Sequence, residues 1–122
     1  MKDLVVWFEI PANDFQRAVK FYNEILQTKI VIEEIQGELM GFLQMEGYAD
    51  GGAIVSVKDR IPSENGTLIF LNGGDDLNDI LKRIEAAGGK VINPKTLVSE
   101  AIGYYALFND SEGNRLALHS KK

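Results

Sequence analysis

Residues 10–26 read IPANDFQRAVKFYNEIL, and residues 72–88 return to the same plan as NGGDDLNDILKRIEAAG. Laid over each other, Asn13-Asp14-Phe15 meets Asp75-Asp76-Leu77, Ala18 meets Ile80, Val19 meets Leu81, Lys20 meets Lys82 and Tyr22 meets Ile84. In each copy, short side chains with carbonyl or carboxylate oxygens stand where a helix needs its first N–H groups capped. The apolar residues behind them recur at helical spacing. In the first copy that stripe is Phe15, Ala18, Val19, Tyr22, Ile25 and Leu26. In the second it is Leu77, Ile80, Leu81 and Ile84, stopped by Gly88-Gly89. Two amphipathic helices align by periodicity alone, so the order of the elements around them carries the comparison.

That order repeats. Leu4 to Ile10 is almost wholly apolar or β-branched, with Glu9 its only charge, and Pro11 closes it as a strand terminator. After the first helix, Lys29–Ile35, Glu38–Glu46 and Gly52–Val57 read as short strands. A polar linker over 59–66 follows. Thr67–Asn72 then reads as a strand before the second helix, and Lys90–Ile92, Tyr104–Phe108 and Arg115–His119 as strands after it. Asp110–Asn114 is the turn between the last two. Asn93–Gly103 reads as a long connection, of the kind that covers a site. The chain is therefore expected to be one α+β domain, 1–122, built from two tandem β-α-β-β-β modules, 1–58 and 67–122.

Composition narrows the function. With 122 residues, 45% hydrophobic and 25% charged, the chain is long enough for one core and too short for two domains. Its formal charge of -5, with no basic run beyond Lys121-Lys122, speaks against nucleic acid and anionic membranes as partners. The absence of cysteine removes disulfides and thiolate chemistry and fits a reducing compartment. No signal-peptide pattern precedes the first strand, so the expected location is cytoplasmic.

The element order, IPANDFQRAVKFYNEIL near one end and GYYALFNDSEGNRLALHS (residues 103–120) at the other together resemble the vicinal oxygen chelate superfamily of glyoxalases, bleomycin resistance proteins and extradiol dioxygenases. The likeness is nearest to its small, mostly uncharacterised glyoxalase-related group. The resemblance implies that the two modules form a curved mixed sheet around a cup, and that two chains associate as a homodimer. In such folds a divalent metal sits in the cup on ligands from both modules. The ligand positions fall here on Val5, on Thr67 or Leu68, on Ala117 and within Gly52–Val57, and none offers the expected imidazole, amide or carboxylate. No metal and no cofactor is therefore expected, unless Glu9 and His119 converge with a third donor from Glu38, Gln44 or Glu46.

Strand alternation selects what else could line the cup, since residues two apart share a face. Val6, Phe8 and Ile10 make an apolar face suited to the helices. Val5, Trp7 and Glu9 take the other. In the last strand Leu116 and Leu118 go to the helices, and Arg115, Ala117 and His119 to the cup. Tyr104 and Tyr105 point to opposite faces, so one of them reaches it. The candidate ligand-binding set is Trp7, Glu9, Tyr105, Arg115 and His119, with Glu9 and His119 as the candidate catalytic acid and base. Each has a plainer role: an ion pair of Glu9 with Arg115 at a sheet rim, core packing for Trp7, a frayed terminal position for His119. Lys95 is a further possible anchor for an anion, with a solvated lysine as the plainer role.

Three functions are compatible with these residues. A metal-independent binder of a small molecule, in the manner of the bleomycin resistance proteins, asks least of them. A metal-independent isomerase or lyase on a small carbonyl compound requires Glu9 and His119 in one pocket. A metal-dependent enzyme of the glyoxalase type requires displaced ligands.

Overall fold

The computed structural model describes residues 4–43 and 51–122. Its elements run β1 (Trp7–Pro11), α1 (Phe15–Leu26), β2 (Val31–Ile35), β3 (Glu38–Leu43), β4 (Gly51–Val55), β5 (Phe70–Asn72), α2 (Asn78–Leu81), β6 (Lys90–Ser99), β7 (Gly103–Asn109) and β8 (Arg115–Ser120). The duplicated β-α-β-β-β plan is thus the observed one. Each module forms a four-stranded mixed sheet, ordered β1-β4-β3-β2 in the first and β5-β8-β7-β6 in the second. In both, the first and last strands of the module pair parallel and the remaining neighbours antiparallel.

Asp14 caps α1 by accepting the Arg17 N–H at 3.1 Å, and Gln27 ends it in the left-handed region at φ 53°. Phe15, Ala18, Val19, Phe21, Tyr22 and Ile25 are buried. They do not pack on the first sheet alone. Ile10 and Ile54 of that sheet, the helix, Leu77, Ile80, Leu81 and Ile84, and Ala106, Phe108, Leu116 and Leu118 of the second sheet belong to one continuous core. Gly89 allows a close approach of α1 and β7, because a Cβ there would lie 2.5 Å from the Asn109 carbonyl oxygen and 2.7 Å from the Phe21 ring.

The turn 110–114 ties this core to the start of α1. Tyr22 donates its hydroxyl to Asp110 at 2.7 Å, and Asp110 also accepts the N–H groups of Glu112 and Asn114 at 2.9 Å each. Glu112 accepts the Asp14 N–H at 2.7 Å and the Arg17 guanidinium at 2.7 and 3.0 Å. Asn114 donates to the Pro11 carbonyl at 2.8 Å.

Several boundaries depart from the sequence expectation. Leu4, Val5 and Val6 precede β1, and Thr67 to Ile69 precede β5, so both first strands are shorter than their apolar runs. The helical part of α2 ends at Leu81, and turns carry the chain to Gly88, although Ile84 remains fully buried as its place in the stripe required. The long connection expected over Asn93–Gly103 is instead strand: β6 runs through Pro94 to Ser99, leaving only 100–102 as the turn. Proline is tolerated because β6 is an edge strand, and the ladder to β7 shifts register on either side of it. Gln44, Glu46 and the loop residues 47–50 lie outside the described residues.

Candidate functional site

The core occupies one face of each sheet, and the opposite face carries no helix. Cross-strand register identifies what lies there. In the first sheet Trp7 stands opposite Gly51 and Glu9 opposite Ala53, and Trp7 packs with Met40, Phe42, Ala53, Val55 and Val57. In the second sheet two rows run across the strands. One joins Phe70, Ala117 and Leu107, and the next joins Asn72, His119 and Tyr105. The rows alternate apolar and polar, as successive same-face positions of a strand allow. Tyr104 packs against the core, so Tyr105 is the tyrosine on the helix-free face.

Of the five candidate residues, Trp7 and Glu9 meet on the first sheet, Tyr105 and His119 on the second, and Arg115 lines a small cavity of about 150 Å³ together with Glu9. Glu9 is held by Trp7, whose indole N–H donates to it at 3.3 Å, and by an ion pair with Arg60. The rim pair expected with Arg115 does not form. Arg115 donates instead to Asn109 at 2.7 Å, with Glu64 at 3.8 Å as its ion partner. Register explains the exchange: Asn109 is the cross-strand partner of Arg115, and the linker brings Arg60 to Glu9. Tyr105 and His119 come together on neighbouring strands. Both line a cavity of about 780 Å³ over the second sheet, walled by Phe70, Val98 and Ile102 and also lined by Asn72. A second cavity of about 680 Å³ opens between β1 and β5, with Trp7, Val5 and Leu68 on its walls. Phe70, Leu71 and Asn72 line both. His119 lines the largest of these cavities, and Glu9 lines two smaller ones.

Three polar side chains on the larger cavity are each held by an internal bond, and Asp75, Ser120, Lys121 and Lys122 line it as well. His119 Nε2 lies 2.6 Å from the Ile102 carbonyl oxygen, Tyr105 Oη accepts from Asn93 at 3.0 Å, and Asn72 Oδ1 accepts the Gly74 N–H at 2.9 Å. Lys121 donates to the Ala101 carbonyl, so the turn 100–102 is fastened from β8 and the segment after it at two successive carbonyls. Lys95 is not a free anchor. It donates to Asp76 at 2.9 Å, holding that carboxyl below its usual range, and its ammonium sits 4.6 Å from the centre of the Tyr104 ring.

The donor set of a divalent ion does not match these residues. Val5 is largely exposed and aliphatic, Ala117 is fully buried without a donor, and the helix-free positions of β4 are Ala53 and Val55. Among the described residues no group of three or more His, Asp or Glu side chains converges. Among the described residues, too, no helix is long and apolar enough to cross a membrane. Phe70, Asn72, Ile102 and Arg60 are the contributors that sequence reading missed. Phe70 and Asn72 alternate with Leu71 as Trp7 and Glu9 alternate with Phe8, a signal present in the chain.

Comparison with known proteins gives a consistent result. A family model described as Glyoxalase/Bleomycin resistance protein/Dioxygenase superfamily matches residues 4–118. A glyoxylase-like domain-containing protein of Didymella fabae is 30% identical over 115 residues, covering 90% of this chain and 88% of that protein. Among solved structures, a glyoxalase/bleomycin resistance protein from Albidiferax ferrireducens T118 aligns with TM-score 0.76 at 18% identity, covering 95% of this chain and 98% of that one. TnmS3, an antibiotic binding protein from Streptomyces sp. CB03234, aligns with TM-score 0.67 at 23% identity, covering 100% of this chain and 99% of its own. These two likenesses concern the fold.

Proposed function

Because the chain belongs to the Glyoxalase/Bleomycin resistance protein/Dioxygenase superfamily, we propose that it binds a small organic molecule over the helix-free face of its second sheet, with its own side chains and without a metal ion. The observation that carries this reading is the cavity of about 780 Å³ in which apolar walls from Phe70, Val98 and Ile102 stand beside the polar groups of Asn72, Tyr105 and His119, with Asp75, Lys121 and Lys122 also on the lining. Its volume and mixed lining are those of small-molecule sites in general. A flat apolar body that hides about 150 Å² against those walls gains roughly 4 kcal/mol before the costs of binding. The polar groups then fix its orientation. TnmS3, a protein of similar fold, is an antibiotic binding protein, which supports capture of an organic ligand as a use for this architecture.

An acid–base enzyme with Glu9 and His119 is not favoured. Glu9 is engaged by Arg60 and Trp7 at the first sheet, while His119 lines the cavity at the second. Proton transfer needs both groups within hydrogen-bond reach of one substrate. The working form is proposed to be a homodimer in the cytoplasm, the assembly to be read by sedimentation.

A thermal-shift screen of small organic compounds, run with EDTA, tests the binding reading. Ligands that bind the folded chain raise its melting temperature by mass action. Compounds that stabilise the wild type are expected to lose most of that effect in Phe70→Ala, since Phe70 is a half-exposed wall residue whose truncation spares the core. An equal shift in the variant, or stabilisation only when a divalent ion is supplied, contradicts the proposal.

A further inference from the structure

We infer that Asn65, in the linker between the modules, is a self-modification site: the backbone nitrogen of Gly66 attacks its side-chain amide, and the residue becomes aspartate or isoaspartate, while the fold protects Asn72 from the same reaction. Glycine follows asparagine twice in the chain, at Asn65-Gly66 and at Asn72-Gly73. Such pairs are open to this chemistry because no β-carbon shields the attacking nitrogen. The nitrogen forms a bond to the side-chain carbonyl carbon, and its hydrogen leaves with the amide group as ammonia. The five-membered imide so formed takes up one water, which opens it at either carbonyl. Nothing but water is consumed.

Whether the reaction runs depends on whether nitrogen and amide are free to meet. At Asn72-Gly73 both are tied. The Gly73 N–H donates to the His119 carbonyl at 2.6 Å, and Asn72 Oδ1 accepts the Gly74 N–H at 2.9 Å. Asn72 ends β5 in register with His119, and Gly73 is buried, with a Cβ there lying 2.7 Å from both the His119 oxygen and the Leu77 Cβ. The backbone cannot turn toward its own side chain without breaking these contacts. At Asn65-Gly66 the one hydrogen bond runs from the Asn65 N–H to Ser63 Oγ at 2.9 Å. The Gly66 N–H and the Asn65 side-chain amide have no hydrogen-bond partner among the described residues, and both residues are exposed outside helix and strand. Gly66 stands at φ 101°, with nothing within 4 Å of where a Cβ would lie. The chain is fastened on either side instead, where the Ser63 N–H donates to Asn114 Oδ1 at 3.1 Å and the Ile69 carbonyl accepts the Ala117 N–H at 2.9 Å. The sheets therefore hold while the segment between these anchors changes. The product adds one negative charge on the small cavity that Asn65 lines with Glu9 and Arg115.

The test uses the whole folded chain, incubated at mildly alkaline pH and then cleaved with trypsin. Cleavage after Arg60 and Lys82 leaves both asparagines on one peptide, residues 61–82, whose fragment ions tell them apart. The gain in mass from amide to carboxyl is expected at Asn65, together with methyl labelling by an isoaspartyl methyltransferase. Conversion at Asn72 should be at least about tenfold slower, since a hydrogen bond must open first. In urea the two sites should convert at similar rates, and Asn65→Gln should abolish the early acidic peak on ion exchange. Similar rates at both sites in the folded chain would overturn the inference. So would an Asn65 that stays intact in the folded chain, whether or not the unfolded chain converts. Neither outcome depends on what the second-sheet cavity binds.

Discussion

Tyr22 and Asp110 stand apart in the sequence, yet their 2.7 Å hydrogen bond is buried beneath the start of α1. Burial, reinforced by the Asp110 charge, pushes the Tyr22 hydroxyl well above its ordinary range. A group whose value is raised on folding contributes stability that is present below its unfolded value and lost as the pH rises past it. Alkaline unfolding is therefore expected to begin above about pH 10, and Tyr22→Phe should flatten that limb while costing about 1–2 kcal/mol at neutral pH in a urea titration. Glu112 works in the other direction. Its burial alone would raise the carboxyl, but hydrogen bonds from Arg17, the Asp14 N–H and Ser111 outweigh that and hold it below the ordinary range. Its contribution is full above about pH 4.3 and is lost as the pH falls through the lowered folded value. Glu112→Gln should show a flatter acid limb in pH-dependent denaturation than the wild type. At this scale the sequence indicated the faces of Trp7, Glu9, Arg115 and His119 through alternation. It could not indicate partners, because Arg60 reaches Glu9 through a loop whose path no local pattern specifies.

Gly89 follows the turns after α2, where its missing side chain admits both Phe21 of α1 and the end of β7. Gly89→Ala places a methyl group against a backbone oxygen that cannot move aside. It is expected to lower stability by about 1–3 kcal/mol and to lower the melting temperature accordingly. The Gly88-Gly89 pair reads as a helix stop, but α2 ends at Leu81 and the pair closes the turns that follow it; the close approach of α1 was not legible, since it depends on how two distant elements pack. β6 teaches the same point. Pro94 reads locally as a loop signal, but an edge strand has an unpaired side on which a missing N–H costs nothing. The apolar stripe of the second helix named its buried residues correctly while overstating its length. Packing of Ile84 into the core is compatible with turns as well as with a regular helix.

The two modules repeat in order and topology but share one core, with Phe21 and Phe108 rings 6.4 Å apart across the two halves. Residues 67–122 alone would expose the surface that α1 covers, so that fragment is expected to give no cooperative thermal transition. The full chain should unfold in one transition monitored equally by far-ultraviolet circular dichroism and by its single tryptophan. Duplication and fold class were readable because helix period and element order are local signals. The cavity was not, because it forms where β5, the turn 100–102 and the end of β8 meet, three segments far apart in the chain. Capture of an organic molecule there without a metal is the central claim. Native mass spectrometry of the protein purified with EDTA and titrated with a compound that raises the wild-type melting temperature tests it most directly. The account predicts a one-to-one adduct free of any divalent ion, which forms with the wild type and is lost in Phe70→Ala. An adduct that forms only when a divalent ion is bound, or one that persists unchanged in the variant, would contradict it.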